Sequence, residues 1–453
     1  MNMKSVLAEE LKLISLSREE VLRLEKIAKD FVKSLKGEGL KAFVGGSLAK
    51  GTLIRKTSFS NQSEVGSRKS EVRESRQDVD VFVVFDYSED ILKLEKILSG
   101  MKLPGELKKV HGSRDYFQIE CDDCLLEVIP VVKNRDPELA ENITDVSLSH
   151  VKYVVGEIKK NVGIADEIKL AKAFCRAQRC YGAESYVHGF SGYSLEVLVI
   201  YFGGFKNFLK KICGGRNSAV GGRVIIDPLK YFRGEREVMS EINSSKLNSP
   251  IVVVDPTYRY RNVTAGLGLE TYERFVGVAS DFLKRPSLDF FKLREIDVKA
   301  LRASEFRDFG VSGFRRRFVE VDLSTDRQEG DIAGTKMKKL LDFFVRELER
   351  KGQVVLRKEF DYSGFGQRAK GYIVVLEVKE IEVRGPSVGL ENASKAFLKS
   401  NCGSRLSVVG SRGDCVYKKK GFWWVKKEMS VEKVFELVKR VEEEMGAKIE
   451  DFC

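Results

Sequence analysis

Cysteine is scarce in this chain. Its 453 residues include eight, at positions 121, 124, 175, 180, 213, 402, 415 and 453, a scatter that offers no disulfide framework and leads us to expect a reducing, cytoplasmic setting. Cys121 and Cys124 have C-x-x-C spacing, but no second such pair follows and histidine is limited to His111, His150 and His188, which argues against a zinc knuckle. Long apolar runs are also missing. Charges appear already at Lys4, Glu9, Glu10 and Lys12, and no stretch approaches the roughly 20 apolar residues that cross a bilayer, so neither secretion nor a membrane span is expected. There is no acidic excess: 79 lysines and arginines against 67 aspartates and glutamates give a net charge of +12, which suits a polyanionic partner such as nucleic acid. No internal repeat is evident. With 43% hydrophobic and 32% charged residues, the chain can bury several cores, and its length predicts three or four domains.

The first strong pattern is a capping box, Ser17 with Glu20, ahead of Val21, Leu24, Ile27, Ala28, Phe31, Val32 and Leu35 at helical spacing; it predicts a long amphipathic helix. Ala42 to Val44 reads as a strand, Gly45-Gly46-Ser47 as a turn, and Val79 to Phe85 as a second strand rich in β-branched and aromatic residues. Between them, about 53–77, lies a polar, serine-rich insertion read as a mobile loop. Phe117 to Glu120 and Leu125 to Val132 predict a hairpin on the same sheet. Residues 164–181 and 192–212 predict helices, with a basic, glycine-rich break from Cys213 to Arg223. Beyond Pro286, strands are expected at 317–321, 354–357 and 372–378 around a helix at 335–350. A helix at 391–399, a hairpin at 416–427 and a helix at 430–445 follow. The expected fold is α+β and multidomain, with a mixed-sheet head at 1–150, a helical middle at 151–285, an α+β body at 286–380 and a tail at 381–453.

The residues that point to chemistry are Gly45-Gly46-Ser47, then Asp78-x-Asp80 on a strand, with Glu127 on a later strand. Side chains two apart on a strand share a face, so Asp78 and Asp80 present two carboxylates to one spot. That suits hard divalent cations such as magnesium, which take oxygen ligands and can clamp the oxygens of a phosphoryl displacement. The turn before a helix offers backbone N–H groups and a hydroxyl to phosphate oxygens, and Gly46 permits close approach. Each piece also has a plainer reading, as solvated strand-edge carboxylates or as an ordinary turn.

Together, in this order, these motifs resemble the nucleotidyltransferase superfamily. Gly45 to Thr52, Asp78 to Phe82, Tyr181 to Glu184, Gly189 to Tyr193, Asp255-Pro256 and Arg261 to Val263 are similar to the archaeal class I CCA-adding enzymes. The resemblance covers most of the first 270 residues and, more loosely, a tail containing Arg384-Gly385-Pro386 and Trp423 to Lys427. It implies a nucleotidyltransferase head, a nucleotide-binding middle domain and C-terminal RNA-binding domains. It implies template-independent addition of CCA to the tRNA 3′ end from CTP and ATP, with Mg2+ held by Asp78, Asp80 and Glu127. Gly46, Ser47, Lys50, Lys172 and Tyr181 fall where that family binds the nucleotide, Ser47, Lys172 and Tyr181 on its triphosphate. Arg261 falls where it meets the incoming base, and His150 at its domain junction. Arg384, Lys418, Lys419, Lys420, Trp423 and Lys426 would contact tRNA, and a homodimer is allowed. Two departures stand out. Glu127 replaces the family's aspartate, moving the carboxylate by about 1.5 Å, and the 53–77 insertion is longer than the family's link, either dangling in solvent or offering Arg68, Lys69, Arg73 and Arg76 to RNA. The alternatives are a polymerase that adds another tail, such as adenosine alone, and an RNA-binding relative without catalysis.

Overall fold

The computed structural model describes residues 2–55, 76–112, 114–133, 142–214, 223–303, 314–327, 329–378, 380–402, 416–428 and 430–452. The expected loop at 53–77 lies largely outside the described residues, as do Arg68, Lys69 and Arg73; Arg76 is described and pairs with Glu120 at 3.3 Å. Two compact units make up the chain, Met1–Arg294 and Glu295–Cys453.

The first unit opens with a helix that no sequence pattern above announces, α1 (Met3–Ile14), followed by α2 (Arg18–Gly37). The capping box between them is formed: the Ser17 hydroxyl accepts from Glu20 N at 3.1 Å, and Ser17 N donates to Glu20 Oε2 at 2.6 Å. The two helices serve different cores. Leu24, Ala28, Phe31 and Leu35 of α2 pack on the head sheet, whereas Val6 and Ile14 of α1 are buried in the helical part. The expected head at 1–150 therefore begins after α1, because the apolar stripe of α1 finds its cover elsewhere.

The head sheet has the order β1-β2-β5-β4-β3, with β1 (Lys41–Val44), β2 (Gln77–Phe85), β3 (Leu107–Val110), β4 (Tyr116–Glu120) and β5 (Cys124–Val132). Only β2 and β5 run parallel, with Asp80 beside Glu127; β4 and β5 form the expected hairpin. A short helix, α3 (Gly46–Lys50), follows β1, and α4 (Lys93–Gly100) joins α2 on the sheet. Alternation along β2 does the sorting. Val79, Val81 and Val83 enter the core beneath α2 and α4 with Leu126 and Val128. On the opposite face Phe82 and Val84 pack with Ile129 and Val131 against Leu148 and Val151 of α5 (Ser147–Lys160), while Asp78, Asp80 and Glu127 lie beyond that apolar patch, where Gly46 of α3 rests against Asp80.

The helical part continues with α6 (Ile164–Ala177), α7 (Gly192–Phe202) and α8 (Phe205–Gly214). The single helix expected over 192–212 is broken because Gly203 and Gly204 take positive φ values of 69° and 134°. The helix expected over 164–181 stops at Ala177; Tyr181 instead bridges to Phe190. A small sheet of β6 (Val224–Ile226), β7 (Ile251–Asp255) and β8 (Tyr258–Asn262), the short helix α9 (Glu235–Glu241) and α10 (Leu269–Lys284) complete the part. Its core is phenylalanine-rich: the fully buried ring of Phe174 has Phe205, Phe275, Phe282 and Phe291 at centroid distances of 5.5 to 6.1 Å. Phe291 thus carries this core past the boundary expected at 285.

In the second unit, after α11 (Val298–Ala303), an antiparallel sheet has the order β10-β11-β9-β15, with β9 (Phe314–Ser324), β10 (Val354–Asp361), β11 (Arg368–Val378) and β15 (Lys448–Phe452). Helix α12 (Asp331–Arg350) covers one face. A smaller sheet, β12 (Glu380–Ser387), β14 (Phe422–Glu428) and β13 (Val416–Lys419), carries α13 (Glu391–Cys402). The tail expected at 381–453 is not one separate piece. The helix expected over 430–445 is two, α14 (Val431–Lys439) and α15 (Glu442–Met445), and α14 buries Val431, Val434 and Phe435 in the core under α12. β15 (Lys448–Phe452), which no sequence pattern announced, then pairs with β9.

Phe174→Ala removes the ring at the centre of the aromatic cluster, and it should destabilise the first unit by roughly 3–5 kcal/mol. The check is the midpoint of its urea unfolding transition followed by far-ultraviolet circular dichroism.

Candidate active site

The turn into α3 is shaped by what lies beneath it. Gly46 has φ +58°, and a Cβ there would stand 1.6 Å from Asp80 Oδ2. The close approach expected of a ligand is thus already made by Asp80. A Cβ at Gly45 would fall 2.2 Å from the Phe82 ring, and Gly45 N donates to the Asp80 carbonyl at 2.8 Å. Ser47, in the first turn of α3, is half-buried.

Asp78 and Asp80 share a face of β2, and Glu127 stands beside Asp80 in register on β5, accepting from Gln118 Nε2 at 2.9 Å. Burial and the adjacent Asp78 charge raise Asp80, which is pushed up to about 6 although Lys50 and Lys172 pull the other way. Among the described residues no three histidine, cysteine, aspartate or glutamate side chains are gathered into a ready-made metal cage. The donors are nevertheless all oxygen, and two repelling carboxylates form a pair whose repulsion a hard divalent cation relieves.

Lys50 and Lys172 meet at a residue that the motifs do not single out. Glu196, 1% exposed in α7, receives Lys172 Nζ on Oε1 at 2.8 Å and Lys50 Nζ on Oε2 at 2.8 Å. Thr52, fully buried, donates its hydroxyl to Glu196 Oε1 at 3.1 Å and accepts from Lys172 Nζ at 2.9 Å. Burial alone would raise Glu196, but the Lys172 and Lys50 charges hold it down to about 2. The signal was available: a lone carboxylate within Leu195 to Val199, on an otherwise apolar helix, demands a partner. Tyr181 joins the same spot. A Cβ on Gly192 would lie 2.8 Å from the Tyr181 hydroxyl and 3.9 Å from Lys172 Cε, so Gly192 leaves room for both.

His150 and Arg261 form a second cluster around Asp255, which is fully buried at the end of β7. Arg261 Nη1 donates to Asp255 Oδ2 at 2.7 Å and lies 3.2 Å from His150 Nε2; the Tyr193 hydroxyl donates to Asp255 Oδ1 at 2.9 Å. The His150 ring stacks on Tyr193 with centroids 3.8 Å apart. Burial lowers His150, with the Arg261 charge adding to it against the Asp255 hydrogen bond. Asp255 would be raised by burial, yet His150, Arg261 and Thr257 N hold it well below the carboxylate range. Tyr193 links the clusters, since Lys50 Nζ and Arg261 Cζ each lie 5.8 Å from its ring centroid. The structure therefore brings Asp78, Asp80, Glu127, Gly46, Ser47, Lys50, His150, Lys172, Tyr181 and Arg261 into one unit, and adds Thr52, Tyr193, Glu196 and Asp255.

The tail residues lie in the second unit. Strand alternation divides them. Trp423, 6% exposed, is packed with Val416 and Val425, and Lys418 Nζ sits 4.8 Å from its ring. Trp423 is therefore a core ring and not the stacking surface expected of it. The outward face carries Trp424 with Lys419 Nζ 5.3 Å from its ring, and Phe422 with Arg384 Cζ 3.5 Å from its ring; Lys426 is exposed. Lys419 also pairs with Glu382 at 2.8 Å. Lys420, at φ +50°, and Gly421, at +77°, form the two-residue turn of the hairpin.

Gly46→Ala drives a methyl group into the Asp80 carboxylate while leaving the valines of β2 in place. The variant should fold yet lose about 100-fold in nucleotide incorporation, the scale of a 1 Å misplacement; paired activity and thermal-melting measurements check this.

The "tRNA nucleotidyltransferase, second domain" family model matches residues 166–292. The CCA-adding enzyme of Nanoarchaeum equitans is 28% identical over 390 residues, covering 83% of this chain and 85% of that one. That of Archaeoglobus fulgidus is 26% identical, covering 94% and 86%, and that of Thermococcus gammatolerans is 25% identical, covering 100% and 93%. The likeness extends through both units: over most of its length the chain is similar to archaeal CCA-adding enzymes, and its residues 166–292 match a tRNA nucleotidyltransferase domain.

Proposed function

We propose that this protein adds cytidine, cytidine and adenosine to the 3′ end of tRNA from CTP and ATP, without a nucleic-acid template and with release of pyrophosphate. The observation that carries the reading is the likeness to CCA-adding enzymes over most of the chain, and the side-chain arrangement supports it. Asp78 and Asp80, with Glu127 beside them, would hold Mg2+. When bound, the ion neutralises charge on the triphosphate and makes the primer hydroxyl a better nucleophile. Lys50 and Lys172 offer ammonium groups to the phosphates, with Ser47 and the Tyr181 hydroxyl as neutral donors. Positioning and charge neutralisation supply most of the rate in such transfers.

Without a template the protein itself must offer fixed donors and acceptors to the base. Arg261, anchored on Asp255, and the His150–Tyr193 stack present a planar, hydrogen-bonding surface suited to this. The outward rings and cations of the small C-terminal sheet are suited to an RNA backbone, which A-form helices present as phosphates and 2′-hydroxyls.

The decisive assay offers purified protein a tRNA ending before its last three nucleotides, with each triphosphate separately and together. CTP-dependent incorporation followed by one adenosine is expected; use of ATP without a CTP stage would identify a different tailing enzyme. Asp78→Ala and Asp80→Ala should each abolish incorporation of both nucleotides and leave tRNA affinity largely intact. The triple change of Lys418, Lys419 and Lys420 to alanine should do the reverse. It should raise KM for tRNA and reduce the salt slope of binding by roughly one unit for every phosphate left without its lysine, with turnover at saturating tRNA and KM for CTP little changed.

A further inference from the structure

Glu196 stands where no charge is needed for folding. A carboxylate buried mid-helix between two ammonium groups adds little net stability over a hydrocarbon side chain of similar size, because desolvation offsets attraction. Its geometry is nevertheless selective. Each carboxylate oxygen takes a different lysine, Oε1 from Lys172 and Oε2 from Lys50, both at 2.8 Å. The two lysines come from separate parts of the first unit, Lys50 from the end of α3 and Lys172 from α6, yet a single side chain fixes the spacing of their charges. Thr52 locks the arrangement from a third side, donating to Glu196 and accepting from Lys172.

An ammonium has three N–H donors. Among the described residues Lys172 commits two, to Thr52 and Glu196, and Lys50 commits one, to Glu196. Both keep donors for an anion, and both stand by the candidate metal ligands: Lys50 ends the short helix whose first residue, Gly46, lies against the Asp80 carboxylate, and Lys172 meets Lys50 on the same Glu196 side chain. Lysine stems are otherwise long and mobile, and holding two of them in one geometry costs side-chain entropy at the moment of binding unless it has been met in advance.

We propose that Glu196 is a positioning residue that presents Lys50 and Lys172 as a matched pair of cations to the triphosphate of the incoming nucleotide. This rests on the reading of the site as a nucleotidyltransferase. Glu196 does not touch the reacting atoms; it acts through the two lysines, and it keeps them from collapsing onto Asp78 and Asp80 before nucleotide arrives.

The test is Glu196→Gln, which keeps shape and removes the charge. KM for CTP and for ATP should rise about tenfold or more, while KM for tRNA stays within about twofold. Calorimetric titration of CTP in the absence of tRNA should show the same loss. A purely structural role predicts the opposite split: a lower thermal midpoint and less active protein, but wild-type KM and CTP affinity in what remains folded. Should the glutamine variant fail to fold, Glu196→Asp retains the charge and withdraws it by one methylene, and it should raise nucleotide KM severalfold with tRNA KM unchanged. Wild-type CTP affinity in whichever variant folds overturns the inference alone. A wild-type protein that binds CTP but incorporates nothing into tRNA overturns the functional reading alone.

Discussion

The alternation of side chains along β2 is the constraint from which the candidate active site follows. Val79, Val81 and Val83 must enter the core under α2 and α4, so Asp78 and Asp80 have no choice but the other face. The parallel pairing of β2 with β5 then brings Glu127 alongside, while Phe82 and Val84 on the same face hold α5 over the next stretch. A one-residue slip would carry the three valines off the α2 and α4 face and turn both carboxylates into that hydrocarbon core. Positions that bind charge are therefore secured by positions that bury none.

The charges of the candidate site alternate in sign. The Asp80 carboxylate feels the Asp78 charge against it and the Lys50 and Lys172 charges for it, and both ammonium groups pair with Glu196. Asp255 repeats the device beneath Arg261 and His150. In both clusters a buried carboxylate with a depressed pKa holds its cations, and at Asp255 the His150 ring, by electrostatics in low dielectric and not by packing alone. Glu196 sits within the apolar segment Leu195 to Val199 and Asp255 directly follows Ile251 to Val254, where water cannot substitute for them.

How much of this was legible in the sequence depended on the range of the interactions. The capping box at Ser17, the strand carrying Asp78 and Asp80, and the β4–β5 hairpin are local patterns, and the structure contains them. Lys50 and Lys172 were picked out by the family resemblance, but their meeting point on Glu196 is tertiary, and only the cost of burying a lone charge hinted at it. The exchange of Trp423 for Trp424 as the outward ring is a question of strand register, which depends on the turn at Lys420-Gly421 and not on composition. β15 could not be read because Lys448 to Phe452 carries few apolar residues and owes its conformation to the edge of β9. The break between α7 and α8 is written in Gly203-Gly204, against an apolar stripe that runs on through both helices and by itself predicts one.

Helix α1 has a consequence for how the chain acquires its structure. Its apolar residues Val6 and Ile14 are covered not by the head that follows it directly but by the core that includes α6. During synthesis α1 must therefore wait until more than a hundred further residues have been made before its hydrophobic side is shielded. The sheet and α2 can condense during that interval, since their contacts lie between residues 18 and 132. Synthesis order and burial order thus diverge for α1, whose apolar stripe stays uncovered until α6 has been made.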